Sequence, residues 1–151
     1  MFDIDYELFT LLPFLLPKLL VATICGVIVG YDREIKQKTA GIRTNILICV
    51  GCALFTALSF YISKTNNIDP TRIIGQIITG IGFLGAGVIM KHDDKIIGVT
   101  TAAFIWIVSA IGVLVGIGSY ITPVLLTIGL IIISRIFERI EKYIKNQQEN
   151  K

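Results

Sequence analysis

Long apolar stretches alternate with short charged ones along the chain, and the alternation predicts membrane-spanning helices. The first apolar run covers residues 8–31, interrupted by Pro13, Pro17 and Lys18. A helix needs about 20 apolar residues to cross the hydrocarbon core. A span that begins near Pro13 leaves Asp32 at the far interface, whereas one that begins at Pro17 draws residues 32–34 into the membrane. The second run covers residues 44–63 and is closed by Lys64. Asp69-Pro70 then starts a third span that reaches Met90, because an N-cap oxygen followed by proline suits a first helical turn. The string KHDDKIIGV forms the next loop. A fourth span runs over residues 100–118, and Thr122-Pro123 repeats the start signal for a fifth that ends near Ile136. Beyond it, Ile133, Ile136, Phe137, Ile140 and Ile144 keep helical spacing. Glu138/Lys142 and Glu141/Lys145 are i,i+4 pairs in the favourable order. Residues 1–136 therefore read as a transmembrane domain and residues 137–151 as an amphipathic surface tail.

Charge fixes the orientation. Of the 151 residues, 54% are hydrophobic and only 17% charged, against about a quarter charged in soluble domains, so lipid is the expected solvent. With five spans, Arg33, Lys36, Lys38, Arg43, Lys91, Lys95 and the basic residues of the tail share one side, and Lys18, Lys64 and Arg72 lie on the other. Eleven of the 14 Lys and Arg residues thus fall on one side. Basic loops stay cytoplasmic. The expectation is an all-α membrane protein, a compact bundle of about five transmembrane helices, with the N-terminus outside and the C-terminus cytoplasmic. The start, MFDIDYE, is acidic and does not read as a cleaved signal peptide.

The third span carries five glycines. Each costs about 1 kcal/mol in a helix interior, so packing has to compensate. At 100° per residue, Gly75, Thr79, Gly82 and Ala86 form one stripe, flanked by Gln76, Gly80 and Gly87. Ile74, Ile77, Ile81, Leu84, Val88 and Ile89 cover the opposite arc, with Gly85 among them. Small faces let helix backbones approach closely. The pattern predicts a bulky face toward lipid, a small face toward other helices, and a third span at the centre of the bundle. Gly112 and Gly116 in span four form a G-x-x-x-G, for which Cys49, Cys52 and Thr56 supply a matching face on span two. Gln76 bonds another helix or lines a cavity, and Arg72, near the same end, anchors to headgroups. The G-x-G-x-x-G string at residues 80–85 has no strand-turn-helix around it and is not read as a dinucleotide site. Cys49 and Cys52 form a C-x-x-C without a second pair or a βαβ context, so they read as small packing residues.

The densest polar stretch is GYDREIKQKTAGIRTN, residues 30–45. Asp32, Arg33, Glu34 and Arg43, with Thr44 beside them and Thr100 and Thr101 on the same side of the membrane, form the candidate functional cluster. Simple interfacial anchoring is the alternative. Thr100 and Thr101 are expected to cap span four. Asp93 and Asp94, next to His92, are the weak candidates for a divalent ion, since carboxylates suit Mg²⁺; a solvated turn is the simpler reading. No nucleophile–base pair and no catalytic metal spacing occur, so neither an enzyme nor a cofactor is expected. Topology accounts for the basic residues, which leaves nucleic-acid binding without support.

Several strings together resemble the MgtC/SapB family of bacterial membrane proteins. They are Gly30-Tyr31-Asp32-Arg33-Glu34, then Ala40-Gly41-Ile42-Arg43-Thr44, then Asp69-Pro70-Thr71-Arg72-Ile73 leading into Gly80-Ile81-Gly82-Phe83-Leu84-Gly85-Ala86-Gly87, and last Gly98-Val99-Thr100-Thr101-Ala102-Ala103 with Trp106. Their order and spacing cover residues 13–120. The resemblance implies a small multi-pass protein of the bacterial inner membrane, linked to growth in low magnesium and to survival in host cells. It implies that some members act by binding the membrane ATP synthase; direct magnesium transport is also attributed to the family. The chain reads as a short form without the soluble C-terminal domain that many members carry. Two functions follow: a regulatory protein that docks on a membrane complex or on itself as a homo-oligomer, a dimer in the simplest case, or a transporter of Mg²⁺ or another ion. Ion pathways place acids inside spans. Spans two to five have none in their interiors, which favours docking.

Overall fold

The computed structural model describes residues 4–66, 69–93 and 95–149. They form five helices and one small hairpin: α1 (Ile4–Ile35), α2 (Ile42–Asn66), α3 (Thr71–Gly87), β1 (Met90–His92), β2 (Lys95–Ile97), α4 (Val99–Ile117) and α5 (Ile121–Glu149). The segments Thr10–Ile35, Ile42–Lys64, Val99–Ile117 and Ile121–Gln148 are long and apolar enough to cross a membrane. With 17 residues, α3 is about 26 Å long, short for a hydrocarbon core of about 30 Å. It still joins opposite ends of the bundle. At its start, Ser59 Oγ on α2 donates to the Pro70 carbonyl. Beyond its end, α4 begins beside the last turn of α1, where Arg33 meets Thr101. α1 runs through both Pro13 and Pro17, and α5 runs without a break through residue 136 into the tail.

Small residues decide which helices meet. Gly26 and Gly30, one turn apart on α1, press against α2: a Cβ at Gly26 would lie 2.7 Å from Ile46 Cα and one at Gly30 would lie 2.5 Å from Ile42 Cα. On a neighbouring face of α2, a Cβ at Gly112 of α4 would lie 2.9 Å from Cys52 Cβ, and one at Gly116 would lie 2.6 Å from Thr56 Cβ. α2 thus meets a G-x-x-x-G face of α1 and another of α4, and α4, with nine buried residues, is the most buried of the spans. The core between these helices joins Ala22, Cys25 and Val29 of α1, Cys49 and Ala53 of α2, and Ile105, Val108 and Val115 of α4. The three cysteines are free and buried in it.

The third helix corrects the sequence expectation. α3 is peripheral, packed mainly on α4, and it turns its bulky arc inward. Ile81 and Gly85 are buried, and a Cβ at Gly85 would stand 3.7 Å from Ala102 Cβ. Gly75, Thr79, Gly80, Gly82, Ala86 and Gly87 are all exposed. Nothing lies within 4 Å of a Cβ built at Gly75, Gly80, Gly82 or Gly87. The physical reason is that lipid gives neither face of a helix a hydrophobic reason to be buried. The contact is settled instead by shape, with Gly85 admitting Ala102 between branched side chains.

Two local expectations also change. The stretch expected as a loop after α3 is an antiparallel hairpin, pairing Met90 with Ile97, Lys91 with Ile96 and His92 with Lys95. Asp93 turns it with a positive φ of 52°. Gly98, not Thr100 or Thr101, stands at the cap position of α4, with φ 92°. There a Cβ would strike the Val88 carbonyl, so only glycine fits both the dihedral and the space. The start of α3 follows its sequence signal: Asp69 Oδ1 accepts from the Thr71 amide at 2.9 Å and the Thr71 hydroxyl at 2.7 Å. Pro70 between them already has helical dihedrals.

Candidate functional site

The charged end of the bundle is built where α1, the start of α4 and the middle of α5 converge. Consecutive residues on a helix point about 100° apart, so Asp32 and Arg33 serve different neighbours. Asp32, 2% exposed, faces α5. Its carboxylate lies 2.6 Å from Lys36 Nζ and accepts from Arg135 Nε at 3.1 Å. Lys36 also pairs with Glu138 at 2.7 Å and reaches Ser134 Oγ at 3.4 Å. This network ties the last turn of α1 to α5. Glu138 is therefore engaged across helices rather than with Lys142 along its own.

Arg33 faces α4. It is 1% exposed. Its Nη2 donates to Thr101 Oγ1 at 3.0 Å, and its guanidinium lies 4.3 Å from the centre of the Phe104 ring. Among the described residues no carboxylate lies within 4 Å of it, and its Nε–H has no hydrogen-bond partner. Glu34 faces α2. Its Oε2 accepts from the Ile42 amide at 2.9 Å, which places a carboxylate at the positive end of that helix. The candidate cluster of Asp32, Arg33, Glu34 and Arg43 is thus not one site: Asp32, Arg33 and Glu34 make three separate contacts to three helices. Arg43 and Thr44 are exposed and outside the network, and Thr100 is exposed at the start of α4.

Two buried polar residues carry weight that the sequence reading did not give them. Asn45 Nδ2 donates to the carbonyls of Ala40 at 2.9 Å and Gly41 at 2.8 Å, pinning the α1–α2 turn. At the opposite end, Lys18 is 4% exposed. Its Nζ donates to the Gly116 carbonyl at 2.6 Å and lies 4.5 Å above Phe14. The signal for Lys18 was a lone charged side chain inside an apolar run, and Asn45 closed the polar stretch just where the second apolar run begins.

Gln76 lines an apolar groove of about 480 Å³ between α2 and α3, with Gly51, Phe55, Ile77 and Gly80. Arg72 is exposed and does not line it. His92 and Asp93 are exposed and 3.8 Å apart, and Asp94 lies outside the described residues. No group of three His, Cys, Asp or Glu residues is placed to hold a metal among the described residues.

The MgtC family model matches residues 19–143. The chain belongs to the MgtC family. The match takes in the whole charged end, from Asp32 to Glu138. This MgtC-family chain is 42% identical over 114 residues to protein MgtC of Salmonella typhimurium, covering 76% of this chain and 48% of that one. It is 36% identical over 126 residues to protein MgtC of Brucella abortus, covering 83% and 52%. It is 36% identical over 140 residues to YhiD of Escherichia coli K12, whose name proposes a magnesium transporter, covering 89% and 65%. The chain thus spans about half to two thirds of the length of these curated relatives. No solved structure matches it. Family and helices together make it a multi-pass bacterial membrane protein.

Proposed function

We propose that this chain is a regulatory membrane protein that acts by docking a helix of a membrane partner on the outward face of α3. Gln76 carries the reading. Its amide is exposed and lines an apolar groove, yet it makes no hydrogen bond among the described residues. A side-chain amide at membrane depth gains from a partner on another helix. The glycines beside it leave room for that helix to approach, since nothing lies within 4 Å of a Cβ at Gly75, Gly80 or Gly82. The partner is a membrane complex, with the ATP synthase as the first to test, or a second copy of this chain. The charged end faces the cytoplasm, following its Lys and Arg excess. The setting is magnesium homeostasis, to which the name of the K12 relative points, or a virulence-type stress response. That name also favours a second reading, ion transport. The first is preferred because the buried carboxylate, Asp32, is already held by Lys36 and Arg135 and offers a passing cation little.

A photoreactive residue at Phe83, which is 82% exposed beside the glycine stripe, tests the docking reading in native membranes. The expected result is a discrete heavier adduct that is absent from the same residue placed at Leu125 on α5 and diminished by Gly82→Leu. Mass analysis separates a second copy from another protein. No adduct at position 83, or an equal yield at position 125, would overturn the proposal.

A further inference from the structure

Arg33 is a permanent cation taken almost wholly out of solvent. Its two contacts are both neutral, the Thr101 hydroxyl and the face of Phe104. Its Nε–H is buried with no acceptor among the described residues. The nearest carboxylate in sequence, Asp32, is turned away and held by Lys36 and Arg135. A buried charge is ordinarily paired or fully hydrogen-bonded. Arg33 also lines a pocket of about 400 Å³, together with Lys38, Thr39, Gly98, Thr100 and Thr101. That volume is in the range of small-ligand sites, about 300–1,000 Å³. Among the described residues no Asp or Glu lines it. It lies at the N-terminus of α4, whose cap residue Gly98 has no side chain to satisfy the first amides, and such a helix end favours negative charge.

From these observations we infer that the pocket is a binding site for a phosphoryl oxyanion, held by the guanidinium of Arg33, the ammonium of Lys38 and the hydroxyls of Thr39 and Thr100 at the start of α4. Guanidinium groups suit phosphate because their fixed N–H donors match its oxygens. Lys38 makes no ion pair among the described residues and stands exposed at the mouth. The hairpin beside the pocket exposes Met90, Ile96 and Ile97, apolar side chains that suit the headgroup region of a bilayer. The oxyanion is therefore either the phosphate of an anionic lipid or a soluble phosphate compound. The inference stands apart from docking on α3, because it uses none of the same residues.

The test uses the purified full chain in a neutral detergent. One arm titrates inorganic phosphate by calorimetry, and the other follows retention of phosphatidylglycerol by native mass spectrometry. Binding in either arm is expected, weakened about fivefold by Lys38→Met through loss of one charge-assisted contact and abolished by Arg33→Met. Lys38 and Thr100 are exposed, so Lys38→Met and Thr100→Val decide the matter if Arg33→Met does not fold. Phosphate binding assigns a soluble compound; lipid retention that phosphate does not displace assigns the headgroup. The inference is overturned if neither probe binds in the millimolar range, or if binding is indifferent to Lys38→Met and Thr100→Val.

Discussion

Asp32 and Arg33 are adjacent in sequence and opposed in space: Asp32 is bound to Arg135 of α5 at 3.1 Å, and Arg33 to Thr101 of α4 at 3.0 Å. The last turn of α1 is therefore the strut that holds two later helices at one end of the bundle. Removing the Asp32 charge leaves Lys36 and Arg135 facing each other without their shared acceptor. Asp32→Asn is expected to destabilise the fold by about 2–3 kcal/mol, below the full cost of breaking a wholly buried pair because Arg135 is 60% exposed. Arg135→Ala costs less, at most about 1 kcal/mol. Unfolding of the two variants in mixed micelles checks both the size and the order.

The α1–α2 contact is a close backbone approach in the molecule's core, and it rests on Gly26 and Gly30. A methyl group at Gly30 would meet the backbone of Ile42 at 2.5 Å, and backbone cannot swing aside as a side chain can. Gly30→Ala is expected to cost about 1–3 kcal/mol, in the range of overpacked cores. Gly51→Ala, with nothing within 4 Å of its Cβ, serves as the control and is expected to cost nothing measurable by the same unfolding assay.

Much of this architecture was legible in the sequence, for identifiable reasons. Charges cannot enter hydrocarbon cheaply, so Lys64, Asp69 and Lys91 mark helix ends, and Asp69-Pro70 marks where α3 begins. The Gly112–Gly116 pair is placed against Cys52 and Thr56, the face its spacing suggested. The inward face of α3 was not legible, because its small and bulky arcs are equally compatible with lipid. Gly26 and Gly30 carried a readable G-x-x-x-G that the apolar run around them concealed. The partners of Asp32 and Arg33 could not be read at all, since helical spacing shows that adjacent residues diverge but not which helix each will meet. The strands at residues 90–97 were hidden by brevity, three residues on each side of the Asp93 turn.

The start of α3 is pH-sensitive in a defined direction. Hydrogen bonds from the Thr71 hydroxyl and amide hold the Asp69 carboxyl below its usual pKa, with Arg72 adding a smaller attraction. A depressed carboxylate contributes stability above the unfolded pKa and loses it as the pH falls through the folded value. The first turn of α3 is therefore expected to be intact at neutral pH and to loosen only on strong acidification. Asp69→Asn should keep an acceptor for the Thr71 amide while removing that pH dependence. The amide signals of Thr71 and Arg72, followed by NMR across the acid range in both proteins, check this.

The claim that α4 is locked against α2 at its glycines and that α3 shows its glycine face to the outside is tested most directly by the sign of two alanine substitutions. A Cβ at Gly82 meets nothing within 4 Å, whereas one at Gly116 meets Thr56 Cβ at 2.6 Å and the Ala53 carbonyl at 2.7 Å. The measurement is the thermal unfolding midpoint of the purified chain, at a protein-to-detergent ratio low enough to keep it monomeric. Gly82→Ala is expected to raise the midpoint or leave it unchanged, because alanine favours an open helical position by about 0.5–1 kcal/mol, and Gly116→Ala to lower it. A fall for Gly82→Ala as large as that for Gly116→Ala would contradict the account.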